Sequence, residues 1–183
     1  MSLHVVQGRQ RRCVRSHRGV SKQPDIYRPT IQAGGESVML WGAVYSTGVL
    51  DLQRVQGSLN STKYIQLLDK NLLPHLQQHP TQHFQQDNAT AHSSKLTKDW
   101  FQANNIEVLM WPPMSPDLNI IENLLSNLKS KMDQYNPQQA NDVLRIASNL
   151  WKEMPQDVFK SLYQLIPRRI QEVIRNRGGS THY

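Results

Sequence analysis

The sequence predicts a mixed α/β domain. Three patterns carry that prediction: two short β-type runs joined by a tight turn, a strand-helix-strand order between His83 and Met110, and helical periodicity from Pro137 onward. A chain of 183 residues, 38% hydrophobic and 19% charged, suits a single domain over 1–183 with a core of ordinary size. It lacks the composition of a disordered, collagen-like or disulfide-stapled protein.

Ser37–Val44 and Val49–Val55 are rich in β-branched and aromatic residues and flank Tyr45-Ser-Thr-Gly48, so they read as a β-hairpin. Ser61–Leu76 begins at an N-cap candidate and repeats Tyr64, Leu67, Leu68 and Leu72 at helical spacing, until Pro80 forbids continuation. His83–Asp87 is a short strand, followed by a polar turn, a helix over Ser93–Asn104 carrying Leu96, Trp100 and Phe101, and a second strand at Ile106–Met110. That order suggests a parallel crossover. Trp111–Pro116 must be an extended loop, because Pro112, Pro113 and Pro116 exclude helix and ladder alike. A long helix follows from Ile120 to about Gln134. The C-terminal helices, within 138–183, read as Ala140–Met154, Pro155–Leu165 and Pro167 to about Arg177, closed by Gly178-Gly179. Trp41, Trp100, Phe101 and Trp151 fall inside apolar patterns and read as core.

The formal net charge of +7 is unevenly placed. A basic N-terminal segment, 1–36, holds Arg9, Arg11, Arg12, Arg15, Arg18, Lys22 and Arg28, and Asp25 is the only acid among residues 1–28. Arg168, Arg169, Arg175 and Arg177 add charge near the other end. Phosphate backbones are the commonest partner of such surfaces, although a solubilising face has the same composition. No apolar stretch approaches the roughly 20 residues needed to cross a bilayer, so no membrane is expected. The N-terminus has no apolar signal region and Cys13 is the single cysteine, which favours a reducing, intracellular setting.

Asp87 lies at the carboxyl end of a predicted strand, where open α/β sheets place their ligand sites, with Asn88 and His92 close behind. The same residues would also serve as a strand-ending Asx turn. Asn119 and Glu122 form the N-x-x-E pattern of a capping box, in which the Asn side chain meets the N3 amide and the Glu reaches back. Glu122 also projects from the edge of the stripe Ile121, Leu124, Leu125, Leu128 and Met132, where it can face a site. Two carboxylates, one ending a strand and one opening a helix, are the hard oxygen donors that two-metal phosphoryl transfer requires. His75, His79 and His83 recur every four residues, but Pro80 cuts their common face and no Cys or nearby carboxylate completes a metal set.

Phe84-Gln-Gln-Asp-Asn-Ala-Thr-Ala-His92 and Trp111-Pro-Pro-Met-Ser-Pro-Asp-Leu-Asn-Ile-Ile-Glu-Asn-Leu124 closely resemble the two signature blocks of the Tc/mariner superfamily of transposases. Gly34–Gly42, Gly57–Tyr64, Ile166–Ile174 and Gly178–Tyr183 extend the resemblance over nearly the whole chain. The 34 residues between Asp87 and Glu122 match the spacing in the Tc-like branch. The resemblance implies a ribonuclease-H-like mixed sheet with flanking helices, and a triad of Asp, Asp and Glu holding two Mg²⁺ or Mn²⁺ ions for DNA cleavage and strand transfer. Asp87 and Glu122 match the second and third members, as catalytic and metal-binding residues. Asn88, His92 and Asn119 lie near that site, and Arg9, Arg11, Arg12 and Arg15 are the expected nucleic-acid-binding residues.

The triad's first member has no counterpart, since residues 1–7, MSLHVVQ, contain no acid, and neither Asp25 nor Asp51 matches its position. The helix-turn-helix region of such transposases has no counterpart in the sequence either, which reads as truncated at its N-terminus. The first core strand is therefore expected to be missing, leaving unpaired edges, or replaced by Leu3–Val6 as a surrogate. Ile120 stands where the family usually has a proline, and Leu125 where it has a tryptophan. The expected function is a transposase-derived domain that performs no strand transfer alone. Alternatives are a DNA- or partner-binding protein without enzymatic activity, or an unstable gene remnant. DNA, a second copy of the chain or a full-length transposase are the expected partners, and the resemblance implies a nuclear location.

Overall fold

The computed structural model describes residues 2–7, 31–33, 36–113, 115–135 and 137–178. Its strands are β1 (Ser2–Gln7), β2 (Ile31–Ala33), β3 (Glu36–Tyr45), β4 (Gly48–Val49), β5 (Gln53–Val55) and β6 (His83–Gln85). The sheet runs β2-β3-β1-β6, with β4 and β5 also paired to β3. The surrogate strand expected at Leu3–Val6 is present and longer. β1 lies antiparallel to β3, with Val5 opposite Ala43, and parallel to β6, with Leu3 opposite Phe84. It fills the slot between them, so the unpaired edges foreseen from a missing strand do not arise.

β3 alternates as a strand buried on both faces must. Val38, Leu40 and Val44 join one apolar cluster and Trp41 and Ala43 the other. Gly42 stands where Leu52 and Trp151 press closest, and an added Cβ would come within 2.6 Å of Leu52 Cδ2. The hairpin is as expected, but its second strand is split into β4 and β5. The indole of Trp151 donates to the Leu50 carbonyl at 2.9 Å, and that carbonyl is lost to a regular ladder. Asp51, in the gap, is exposed and pairs with Lys152 at 2.9 Å.

On one face lie α1 (Ser61–Leu67), a π-turn (Leu68–Leu72), α2 (Leu73–Gln78), α3 (Thr90–Ser93) and α4 (Lys95–Ala103). The sequence suggested one α-helix through Leu76, but Pro74 can neither donate to the preceding turn nor fit against it. The widened turn, closed by Leu73 N–H to Leu68 O, accommodates it as an early residue of a new helix. Asn60 caps α1 through Lys63 N, and the expected Ser93–Asn104 helix divides at Ser94, which caps α4 through Thr97 N. Ile106–Met110 reduces to a single parallel bridge between Val108 and Phe84.

The other face carries α5 (Ile120–Met132), α6 (Ala140–Lys152) and α7 (Gln156–Arg175), preceded by a 3₁₀ turn at Pro116–Leu118. α7 replaces the two helices expected on either side of Pro167, which sits inside it and faces solvent. Its inner stripe of Phe159, Leu162, Tyr163 and Ile166 packs without interruption, and that burial outweighs the roughly 3 kcal/mol cost of an interior proline. α7 ends in a Schellman motif: Gly178 N–H meets Val173 O at 2.9 Å and Arg177 takes the left-handed conformation, φ 51°. Trp41, Phe101 and Trp151 are buried, and Trp100 is half-buried with its indole donating to Asp69. Among the described residues no helix is long and apolar enough to cross a membrane.

Because β1 supplies hydrogen bonds to both β3 and β6, a chain beginning at Gly8 is expected to lose its cooperative thermal transition. Calorimetry of the two forms checks this, and an unchanged transition would contradict the central placement of β1.

Candidate active site

β6 ends at Gln85, and the chain crosses Gln86 before Asp87, whose side chain begins the turn into α3. That turn is an Asx turn in part: Ala89 N–H donates to Asp87 Oδ1 at 3.0 Å. The same oxygen accepts from His92 Nδ1 at 2.6 Å. The two readings of Asp87, turn former and site residue, therefore coexist.

Glu122 opens α5. Asn119 is its N-cap, but the carboxamide accepts from the N2 amide of Ile121, at 3.5 Å, where a capping box would engage the N3 amide. Glu122 N–H bonds the Asn119 carbonyl instead. Burial pushes the Glu122 carboxyl up to about 7, with the charge of Asp87 adding to the shift. The two carboxylates are thus near enough to repel each other, although they lie on different elements and far apart in sequence.

Three further contacts brace the site. The Asn88 carboxamide donates to the Trp111 carbonyl at 2.9 Å, tying the end of β6 to the proline-rich loop. Arg169, buried on α7, donates to the Asp117 carbonyl at 2.8 Å and holds the 3₁₀ turn that leads into α5. The phenol of Tyr64, on α1, stacks at 4.2 Å on the His92 ring and donates to Gln86 Oε1 at 2.6 Å. Burial raises the Tyr64 hydroxyl well above its ordinary value, and Asp87 raises it further.

Of the residues expected at the site, Asp87 bonds His92 and its charge reaches Glu122, Asn88 latches the neighbouring loop, and Asn119 caps the helix. Arg9, Arg11, Arg12 and Arg15 lie outside the described residues, as does Asp25. Tyr64, Gln86 and Arg169 were not singled out for this site. Their sequence signals are a helical stripe, a strand end and a basic tail, none of which reveals a contact across elements. His75, His79 and His83 do not converge on one ligand: His75 bonds Gln82 and His83 pairs with Glu107.

A family profile described as DDE superfamily endonuclease matches residues 6–145. The Tc1 transposase of Caenorhabditis elegans is 34% identical over 172 residues, covering 93% of this chain and 63% of that protein. The chain thus spans less than two thirds of this relative's length. The Mos1 transposase catalytic domain, solved with raltegravir and Mn, superposes with a TM-score of 0.80 at 16% identity, over 99% of this chain and 84% of that one. The Mos1 mariner paired-end complex with Mn gives 0.72 at 19% identity, over 99% of this chain and 56% of that one. The shared fold is the ribonuclease-H-like sheet with helices on both faces, and the chain belongs to the DDE superfamily endonucleases.

Proposed function

We propose that this domain engages DNA as a transposase catalytic domain does, holds a divalent cation between Asp87 and Glu122, and completes neither cleavage nor strand transfer on its own. The observation that carries the reading is the placement of the two signature carboxylates: Asp87 lies just past β6 with its Oδ1 held by His92 and Ala89, and Glu122 lies in the first turn of α5, where the charge of Asp87 reaches it. Two hard-oxygen groups of like charge, Asp87 with its side chain 44% exposed and Glu122 half-buried, would hold a Mg²⁺ or Mn²⁺ ion, which would supply Lewis-acid polarisation of a phosphoryl oxygen.

The donor set fits one such ion and falls short of two. Among the described residues no group of three or more His, Cys, Asp or Glu side chains could hold a metal, and β1, SLHVVQ, brings no acid to the strand between β3 and β6. The chain's own residues do the remaining work. His92 and Ala89 hold Asp87, Asn88 and Arg169 set the loop, and Glu122 shifts between acid and carboxylate near neutral pH. Losing a ligand from a two-metal site removes the positioning on which in-line displacement depends.

A second reading, DNA binding without catalysis, draws support from the exposed Arg168, Arg175 and Arg177 around the end of α7. A nuclear location goes with either reading. Neutralising Arg11, Arg12 and Arg15 together is expected to weaken DNA affinity and flatten its salt dependence.

For the first reading, a nicking assay on supercoiled plasmid with Mn²⁺ is expected to give no activity above a Glu122→Gln control. Wild-type nicking that disappears in the control would overturn the inactivity. The raised Glu122 pKa also sets a sign. The folded state holds a proton that the unfolded chain releases near pH 4.5, so stability falls as pH rises from about 4.5 through about 7. Glu122→Gln is therefore expected to stabilise by about 3 kcal/mol above pH 7 and to have no effect below pH 4.5. Urea unfolding across that range checks it, and a pH-independent difference would contradict it.

A further inference from the structure

His92 is 1% exposed, and both its ring and its main chain are held. Tyr64 stacks on it, Gln86 Nε2 donates to its carbonyl at 3.3 Å, and its own N–H bonds the Ala89 carbonyl at 2.8 Å. Within that cage Nδ1 meets Asp87 Oδ1 at 2.6 Å, while Nε2 is buried with no hydrogen-bond partner. A buried imidazole that leaves one nitrogen unsatisfied costs on the order of 1 to 3 kcal/mol. A hydrophobic residue of similar size would avoid that cost, so packing alone does not account for histidine here.

We propose that His92 is a positioning residue for Asp87. An ionised carboxylate only accepts, so the bond at 2.6 Å places a proton on Nδ1. The Nδ1–H and the Ala89 N–H converge on the same Oδ1 from different sides. Two donors on one oxygen fix both rotations of the carboxylate, and with them the bearing of Asp87 toward Glu122. Tyr64 packs against the ring and Gln86 holds the main chain of His92, which together place the imidazole for that bond. Outer hydrogen bonds of this kind orient a metal ligand before the ion arrives, and removing them typically costs 10- to 100-fold in metal affinity. The inference rests on reading Asp87 and Glu122 as a cation pair.

Side-chain geometry supplies the test. Asn in place of His92 puts an amide N–H near the position of Nδ1, whereas Gln puts it near Nε2. Mn²⁺ binding to the full chain at pH 8, followed by electron paramagnetic resonance, is measured for wild type, Glu122→Gln, His92→Asn and His92→Gln, each checked for a wild-type unfolding transition. His92→Asn is expected to bind within about 3-fold of wild type and His92→Gln at least about 10-fold more weakly. Equal affinities for the two His92 variants, whether both high or both low, would overturn the proposal while leaving the cation pair standing. Wild type that binds no more Mn²⁺ than Glu122→Gln would overturn the cation pair, and this inference with it. Should neither His92 variant fold, ¹⁵N NMR of the wild-type imidazole decides: a proton on Nδ1 supports the proposal and a proton on Nε2 overturns it.

Discussion

Asp87 and Glu122 carry like charge, sit on different elements, and lie close enough that the charge of Asp87, added to burial, makes Glu122 harder to ionise. Folding gains nothing from such a pair. Burial of Glu122 makes the cost larger, because charge is poorly screened away from water. The surrounding structure is arranged so that the two cannot move apart, and the rest of the site follows from that constraint.

Three separate parts of the chain enforce it. β6 delivers Asp87 and is held in the sheet by β1 on one side and by the Val108 bridge through Phe84. α5 delivers Glu122, and its direction is set by the stripe from Ile121 to Met132 packed against α6, α7 and β3. Between them the proline-rich loop is pinned at both ends, by Asn88 on the Trp111 carbonyl and by Arg169 on the Asp117 carbonyl. Ile120 and Leu125, which stand where the family usually has proline and tryptophan, are both buried in this region.

How legible each feature was depended on whether its cause was local. The hairpin, β6 and α5 follow from residue patterns within a few positions, and the two acids follow from the signature blocks around them. The surrogate strand could be read from Leu3–Val6 because the gap it fills is defined by its neighbours. Pro74 and Pro167 were harder, since whether a proline ends a helix, widens a turn or sits tolerated on a solvent face depends on what the helix packs against. The bond pattern at Asn119 likewise escaped the capping-box spacing, since Asn119 O, not its side chain, receives the Glu122 amide. Tyr64 on His92 and Arg169 on Asp117 join residues 28 and 52 positions apart, a kind of contact that no periodicity encodes.

Strand β1 gives the molecule its particular character, because it restores the sheet without contributing an acid from Ser2 to Gln7. A crystal of the chain soaked in Mn²⁺ and measured at the manganese absorption edge addresses this at the atoms concerned. One anomalous peak bridging the carboxylates of Asp87 and Glu122 is the expected result. Two peaks there, or none, would contradict it.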